Sequence, residues 1–253
     1  HPGGETRQRV ASSVAVQRRL AVIAGGPGTG KTTTIARTLA VLHDQARAAG
    51  RPAPMVALAA PTGKAAARLE EAVHAEALRL DVHPEVRDRL LATGASTLHR
   101  LLGWKPRSHT RFRHDRANRL PHDVVIVDET SMVSLSLMAR LVEAVRPAAR
   151  LVLVGDPEQL ASVEAGAVLG DVVGPRRAGT PLGASIVLLD RVFRFGGGIA
   201  ALASAVQSGD PSRVIGVLRA GHEDVTWIDA DVSTAGEADL EPIREAVVRA
   251  GRA

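Results

Sequence analysis

The chain has 253 residues, 45% of them apolar, which supports a buried core and excludes wholesale disorder. Cysteine is absent, so disulfides and thiolate metal sites are excluded and the cytoplasm is the expected compartment. The net charge is +5, and with aromatics at 2% and no Tyr, no row of stacked rings can hold a single-stranded nucleic acid. In chain order, Leu20–Ala24 reads as a buried strand and Thr33–Leu42 as a helix. Met55–Ala59, Val124–Val127, Leu151–Val154 and Ile186–Leu189 are further apolar runs expected to be strands. Gly63–Leu80, Met132–Val145 and Ile199–Gln207 are expected helices, followed by a weaker strand signal at Asp224–Ile228 and a helix at Leu240–Val248. This β-α alternation predicts an α/β fold with a mostly parallel sheet flanked by helices.

No apolar run approaches the roughly 20 residues of a membrane span, and the N-terminus has no signal pattern, so no membrane partner is expected. The first residue is His1 rather than Met, so an internal fragment is the expectation. The positive charge is almost wholly arginine. An arginine-rich coding bias and a polyanion partner both account for it.

The loop between the first strand and its helix reads Gly25-Gly26-Pro27-Gly28-Thr29-Gly30-Lys31-Thr32, a complete G-x-x-x-x-G-K-[ST] phosphate loop. Its glycines let backbone N–H groups curl around phosphate oxygens, and the following helix N-terminus favours an anion. The candidate nucleotide-binding residues are Gly26, Pro27, Gly28, Thr29, Gly30, Lys31, Thr32 and Thr33. Lys31 would bring charge to the β- and γ-phosphates of a bound triphosphate, and the Thr32 hydroxyl would ligate Mg²⁺. Asp128-Glu129 directly follows another strand. There Asp128 is a second Mg²⁺ ligand, and Glu129 is a candidate general base for the attacking water. Glu129 points to the strand's other side in an ideal pleat, and its place at the strand's end is what would let it activate that water. Gln159, in Gly155-Asp156-Pro157-Glu158-Gln159-Leu160, could hydrogen-bond a γ-phosphate or the attacking water and so sense hydrolysis, where a plain turn is the alternative. Ligands of parallel sheets bind at strand carboxyl ends, so these groups should converge on one edge.

From Trp104 to Pro121 the chain is polar and basic, with Lys105, Arg107, Arg111, Arg113, Arg116 and Arg119. A β-hairpin around Arg111–Arg119 and an ordinary solvated loop both satisfy this pattern.

These segments together resemble the motor core of superfamily-one DNA helicases, and most closely the RecD family, the alpha subunits of exodeoxyribonuclease V. The resemblance rests on Gln8-Arg9-Val10-Ala11, Gly25–Thr34, Ala60–Ala66, Thr97-Leu98-His99-Arg100-Leu101-Leu102-Gly103, Val127–Met132, Gly155–Leu160 and Leu189–Phe195. It implies a P-loop NTPase of RecA-like fold over residues 1–183, with 104–121 as an inserted hairpin-like excursion similar to a duplex-splitting pin. Residues 184–253 are then the incomplete start of a second RecA-like domain.

The resemblance also implies residue roles. Gln8 would read the adenine edge. Thr62, Lys64, Thr97 and His99 would contact single-stranded DNA, although His99 also fits a packed helix position. Arg194 would reach the γ-phosphate, where an ordinary surface charge is the alternative. The chain departs from the family pattern at Thr130, where Ala is usual, at Ala161, where Pro is frequent, and at Phe193, where Tyr is usual.

The implied function is an ATP-dependent, Mg²⁺-requiring 5′-to-3′ helicase or translocase, acting on single-stranded DNA and DNA ends. Its implied setting is double-strand-break repair and recombination with RecB- and RecC-like subunits, and the fragment alone is expected to turn over slowly. A stand-alone RecD-like helicase and the helicase part of a conjugative relaxase are the related alternatives. A non-catalytic nucleotide-binding scaffold subunit is the alternative of another class.

Overall fold

The computed structural model describes residues 2–105, 112–157, 159, 168–174, 179–189, 197–228 and 237–250. Strands β1 (Leu20–Gly25), β2 (Val56–Ala60), β3 (Ala95–Thr97), β4 (Val124–Val127), β5 (Arg150–Gly155) and β6 (Ile186–Leu189) form one sheet. Its order is β3-β2-β4-β5-β1-β6, and every pair is parallel. The central strands are apolar on both faces because helices cover both.

One core lies between the sheet and helices α1 (Pro2–Gln17), α2 (Lys31–Ala48), α3 (Gly63–Arg79) and α4 (Pro84–Leu91), around Ile23, Ile35, Leu39, Leu58 and Leu90. The opposite core packs Val22, Val125 and Val127 against α5 (Leu98–Leu101), α6 (Leu135–Ala144) and α7 (Val168–Val173), through Leu98, Leu141 and Leu169. Because all strands run one way, the segments after Gly25, Ala60, Thr97, Val127 and Gly155 emerge at the same edge.

The chain divides into two compact units, His1–Arg194 and Phe195–Ala253. The boundary expected between residues 183 and 184 therefore moves. β6 is hydrogen-bonded to β1 in register Val22↔Ile186 to Gly25↔Leu189, and so belongs to the first unit. The second unit contains α8 (Gly197–Gln207), α9 (Pro211–Arg219) and α10 (Glu237–Ala250). The strand expected at Asp224–Ile228 is not formed. Asp224 instead accepts from the backbone N–H groups of Gly198 and Ile199, both at 3.2 Å, and satisfies the start of α8. Trp227 lies 5.2 Å from the Arg219 guanidinium carbon.

The basic excursion is also not a two-stranded hairpin among its described residues. A single antiparallel bridge, Trp104↔Phe112, marks its neck. Beyond it, Asp115 Oδ1 accepts from the N–H groups of Ala117 and Asn118, both at 2.8 Å, which folds the chain into a side-chain-capped turn rather than a ladder. Arg119 turns back to donate to the carbonyls of Glu143 and Val145, completing the C-terminal end of α6. Arg107 and Arg111 lie outside the described residues.

Candidate nucleotide and nucleic-acid site

The phosphate loop is built by its own hydrogen bonds. Thr29 Oγ1 donates to the Gly26 carbonyl at 2.8 Å, and Lys31 Nζ donates to the Gly25 and Gly26 carbonyls at 2.7 and 3.0 Å. The ammonium is thereby held over the loop. Gly30 caps α2 at φ 85°, a left-handed conformation that favours glycine, and a Cβ there would collide with Gln8 Nε2. The first turn of α2 has no side-chain cap and no acidic residue, so its N–H groups remain available to an anion.

Gln8 is buried behind this loop. Its Nε2 donates to the Thr29 carbonyl, and its Oε1 accepts from Arg37 Nη1, both at 3.2 Å. The side chain braces the loop through one of its two amide hydrogens and one of its two oxygen lone pairs.

Asp128 and Glu129 follow β4. The Asp128 carboxylate accepts from the Glu129 N–H at 2.9 Å, and burial raises its pKa from 3.8 to about 6. The backbone hydrogen bond and the Lys31 charge oppose that rise, while the neighbouring Glu129 adds to it. Glu129 has φ 52° and ψ 40°, left-handed values rare for a non-glycine residue. This twist breaks the alternation of a pleat, and both carboxylates line one cleft of about 890 Å³. The cleft also holds Gly28, Gly30, Lys31, Thr32, Thr33, Thr62, Lys64, Asp156 and Gln159. The expected convergence at the sheet edge is met for these residues.

A triphosphate with Mg²⁺ fits this donor set. The loop offers N–H groups and an ammonium, while Thr32 and a carboxyl destabilised in its charged form share the cleft.

Two links not read from the sequence hold the carboxylate segment. Thr130 is fully buried, and its Oγ1 donates to the Val154 carbonyl at 2.8 Å, which gives the unusual threonine a physical role. Ser131 Oγ donates to Gln159 Oε1 at 2.9 Å. The one sequence signal for this packing is Gly155, where a Cβ would meet Thr130 Oγ1 and Leu169 Cδ2 at 2.7 Å.

Thr62 and Thr97 sit at the ends of the neighbouring strands β2 and β3. Each caps the next helix, accepting from Ala65 N and Arg100 N at 3.2 Å. A capping hydroxyl still has its own hydrogen to donate to a phosphate. Lys64 is exposed two residues beyond Thr62, in the first turn of α3, and the exposed His99 ring lies 5.9 Å from Phe112. Arg194 lies outside the described residues.

A family model for an AAA domain matches residues 8–165, more than half of the chain. The chain belongs to this AAA domain family. It is 56% identical over 248 residues to the RecBCD enzyme subunit RecD of Mycolicibacterium smegmatis, covering 97% of this chain and 42% of that protein. It thus spans less than half the length of that relative. It is 45% identical over 148 residues to the ATP-dependent RecD2 DNA helicase of Deinococcus radiodurans, covering 58% of this chain and 17% of that protein. A solved structure of Pif1 helicases at forked double-stranded DNA matches with a TM-score of 0.51 at 19% identity, over 94% of this chain and 56% of that one. That likeness shows the α/β fold alone. Among the described residues, no helix is long and apolar enough to cross a membrane.

Proposed function

We propose that the chain is the nucleotide-hydrolysing part of an ATP-dependent DNA helicase or translocase of the RecD kind. The observation that carries this reading is the single cleft that gathers Lys31, Thr32, Asp128, Glu129 and Gln159 beside Thr62 and Lys64. In the proposed mechanism, loop N–H groups and Lys31 hold the phosphates. Thr32 and Asp128 hold Mg²⁺, which when bound would neutralise charge on the phosphate oxygens. Glu129 takes a proton from the attacking water, and Gln159 touches the terminal phosphate. Arg194 supplies a further positive charge to that phosphate. Thr62, Lys64, Thr97 and His99 hold single-stranded DNA, mainly by its backbone.

The proposed setting is 5′-to-3′ movement in double-strand-break processing, together with RecB- and RecC-like subunits. The greater identity and coverage against the M. smegmatis RecD subunit favour this over the stand-alone helicase. A complete set of hydrolytic groups opposes the scaffold reading. The test is ATP hydrolysis by the purified chain with and without single-stranded DNA. Turnover that rises with DNA and is lost in Glu129→Gln is expected. No hydrolysis under either condition overturns the reading.

A further inference from the structure

We propose that Ser131 is a positioning residue that selects which edge of the Gln159 amide faces the nucleotide cleft. This inference rests on the nucleotide reading given above. Gln159 is exposed at the cleft, on a turn where its N–H reaches the Asp156 carbonyl at 3.3 Å. An unrestrained glutamine there can present either its carbonyl oxygen or its amide hydrogens. A terminal phosphate carries only acceptor oxygens at neutral pH, so only the NH₂ edge can bond to it.

Ser131 resolves this choice. Its Oγ donates to Gln159 Oε1 at 2.9 Å, which engages one lone pair of that oxygen, turns it toward the serine and leaves the NH₂ hydrogens to a phosphate. The serine is suited to the task because it is itself fixed. It is 6% exposed, within the 3₁₀ turn Thr130–Met132. On one side Thr130 is bonded to the Val154 carbonyl, and the turn begins at the left-handed Glu129. One short segment therefore carries the metal-holding Asp128, the base Glu129, the anchor Thr130 and the positioner Ser131.

A hydrogen bond of ordinary net strength biases the amide by about three- to tenfold. The effect belongs to the terminal phosphate alone, so ADP provides an internal control. The experiment is calorimetric titration of the intact chain with ADP and with a non-hydrolysable ATP analogue, both with Mg²⁺. Ser131→Ala is expected to weaken analogue binding about three- to tenfold and leave ADP binding within about twofold. Ser131→Thr, which keeps the hydroxyl, should restore the analogue. On a Gln159→Ala background, Ser131→Ala should have no further effect on the analogue. Equal losses for both nucleotides, or no loss for either, overturn the inference while leaving the nucleotide reading in place. Failure of the wild-type chain to bind ADP overturns that reading and this inference with it.

Discussion

Thr130 and Val154 are joined by a 2.8 Å hydrogen bond from the threonine hydroxyl to the valine carbonyl, which ties the segment after β4 to the end of β5. Gly155 follows Val154 and leaves room for that hydroxyl. Gly155→Ala is therefore expected to cost about 1–3 kcal/mol, because the added methyl must displace Thr130 and Leu169. Thr130→Ala alone should cost about 1 kcal/mol through the lost hydrogen bond. In the double variant the two costs should not add, since removing the hydroxyl opens space for the methyl. Urea denaturation of the four proteins measures this coupling, and strict additivity would count against the packing described.

Asp128 titrates near pH 6 instead of 3.8 because burial disfavours its charge. The folded state thus holds this proton more tightly than the unfolded chain does. Its contribution favours folding at low pH and is lost as the pH rises from about 4 through about 6. Without metal, Asp128→Asn should raise stability at pH 8 by roughly 1–3 kcal/mol. The gain should vanish near pH 4, where the wild-type carboxyl is also neutral. Melting curves across this range, with chelator present, check the sign. A variant less stable at pH 8 would contradict it.

Gly30→Ala places a methyl on a left-handed residue and against Gln8. A loss of about 1–3 kcal/mol is expected, with weakened nucleotide binding. Adding Gln8→Ala should recover only part of the stability, because the backbone penalty remains. Full recovery in a denaturation experiment would mean that the collision alone matters.

Much of the first unit was legible in the sequence because its central strands are unbroken apolar runs and its phosphate loop is a contiguous motif. β3 was missed because Ala95–Thr97 is short, small and only partly buried. Its place is fixed by pairing with β2 and by the Glu70 carboxylate, which accepts from the Ala95 N–H at 2.6 Å. Helix α1 was missed because its buried Ala11 and Ala15 make a weak apolar stripe among polar residues. Within the site, Lys31, Thr32, Asp128 and Glu129 carry motif signals. The Thr130–Val154 and Ser131–Gln159 contacts do not, because they exist only once β4 and β5 lie side by side. The bonds of Gln8 to Thr29 and Arg37 were hidden for the same reason: they form only in the folded chain.

Contact with single-stranded DNA through Thr62, Lys64, Thr97 and His99 should be dominated by phosphates. Affinity for a labelled oligonucleotide should fall with added salt, with a logarithmic slope of about −0.7 for each phosphate neutralised. Lys64→Ala should weaken binding to all sequences alike and reduce the slope by about one contact. A salt-independent affinity in fluorescence anisotropy would oppose this arrangement.

The most direct test of the account is calorimetric titration of the wild-type chain and Lys31→Ala with ATP and Mg²⁺. Among the described residues, the hydrogen bonds of Lys31 Nζ go to the carbonyls of Gly25 and Gly26 within the loop, so its loss should leave the fold and the urea midpoint near those of the wild type. The wild-type chain should bind ATP, and the variant should show no measurable binding. An unchanged ATP affinity in a folded Lys31→Ala protein would contradict the assignment of this cleft as the nucleotide site.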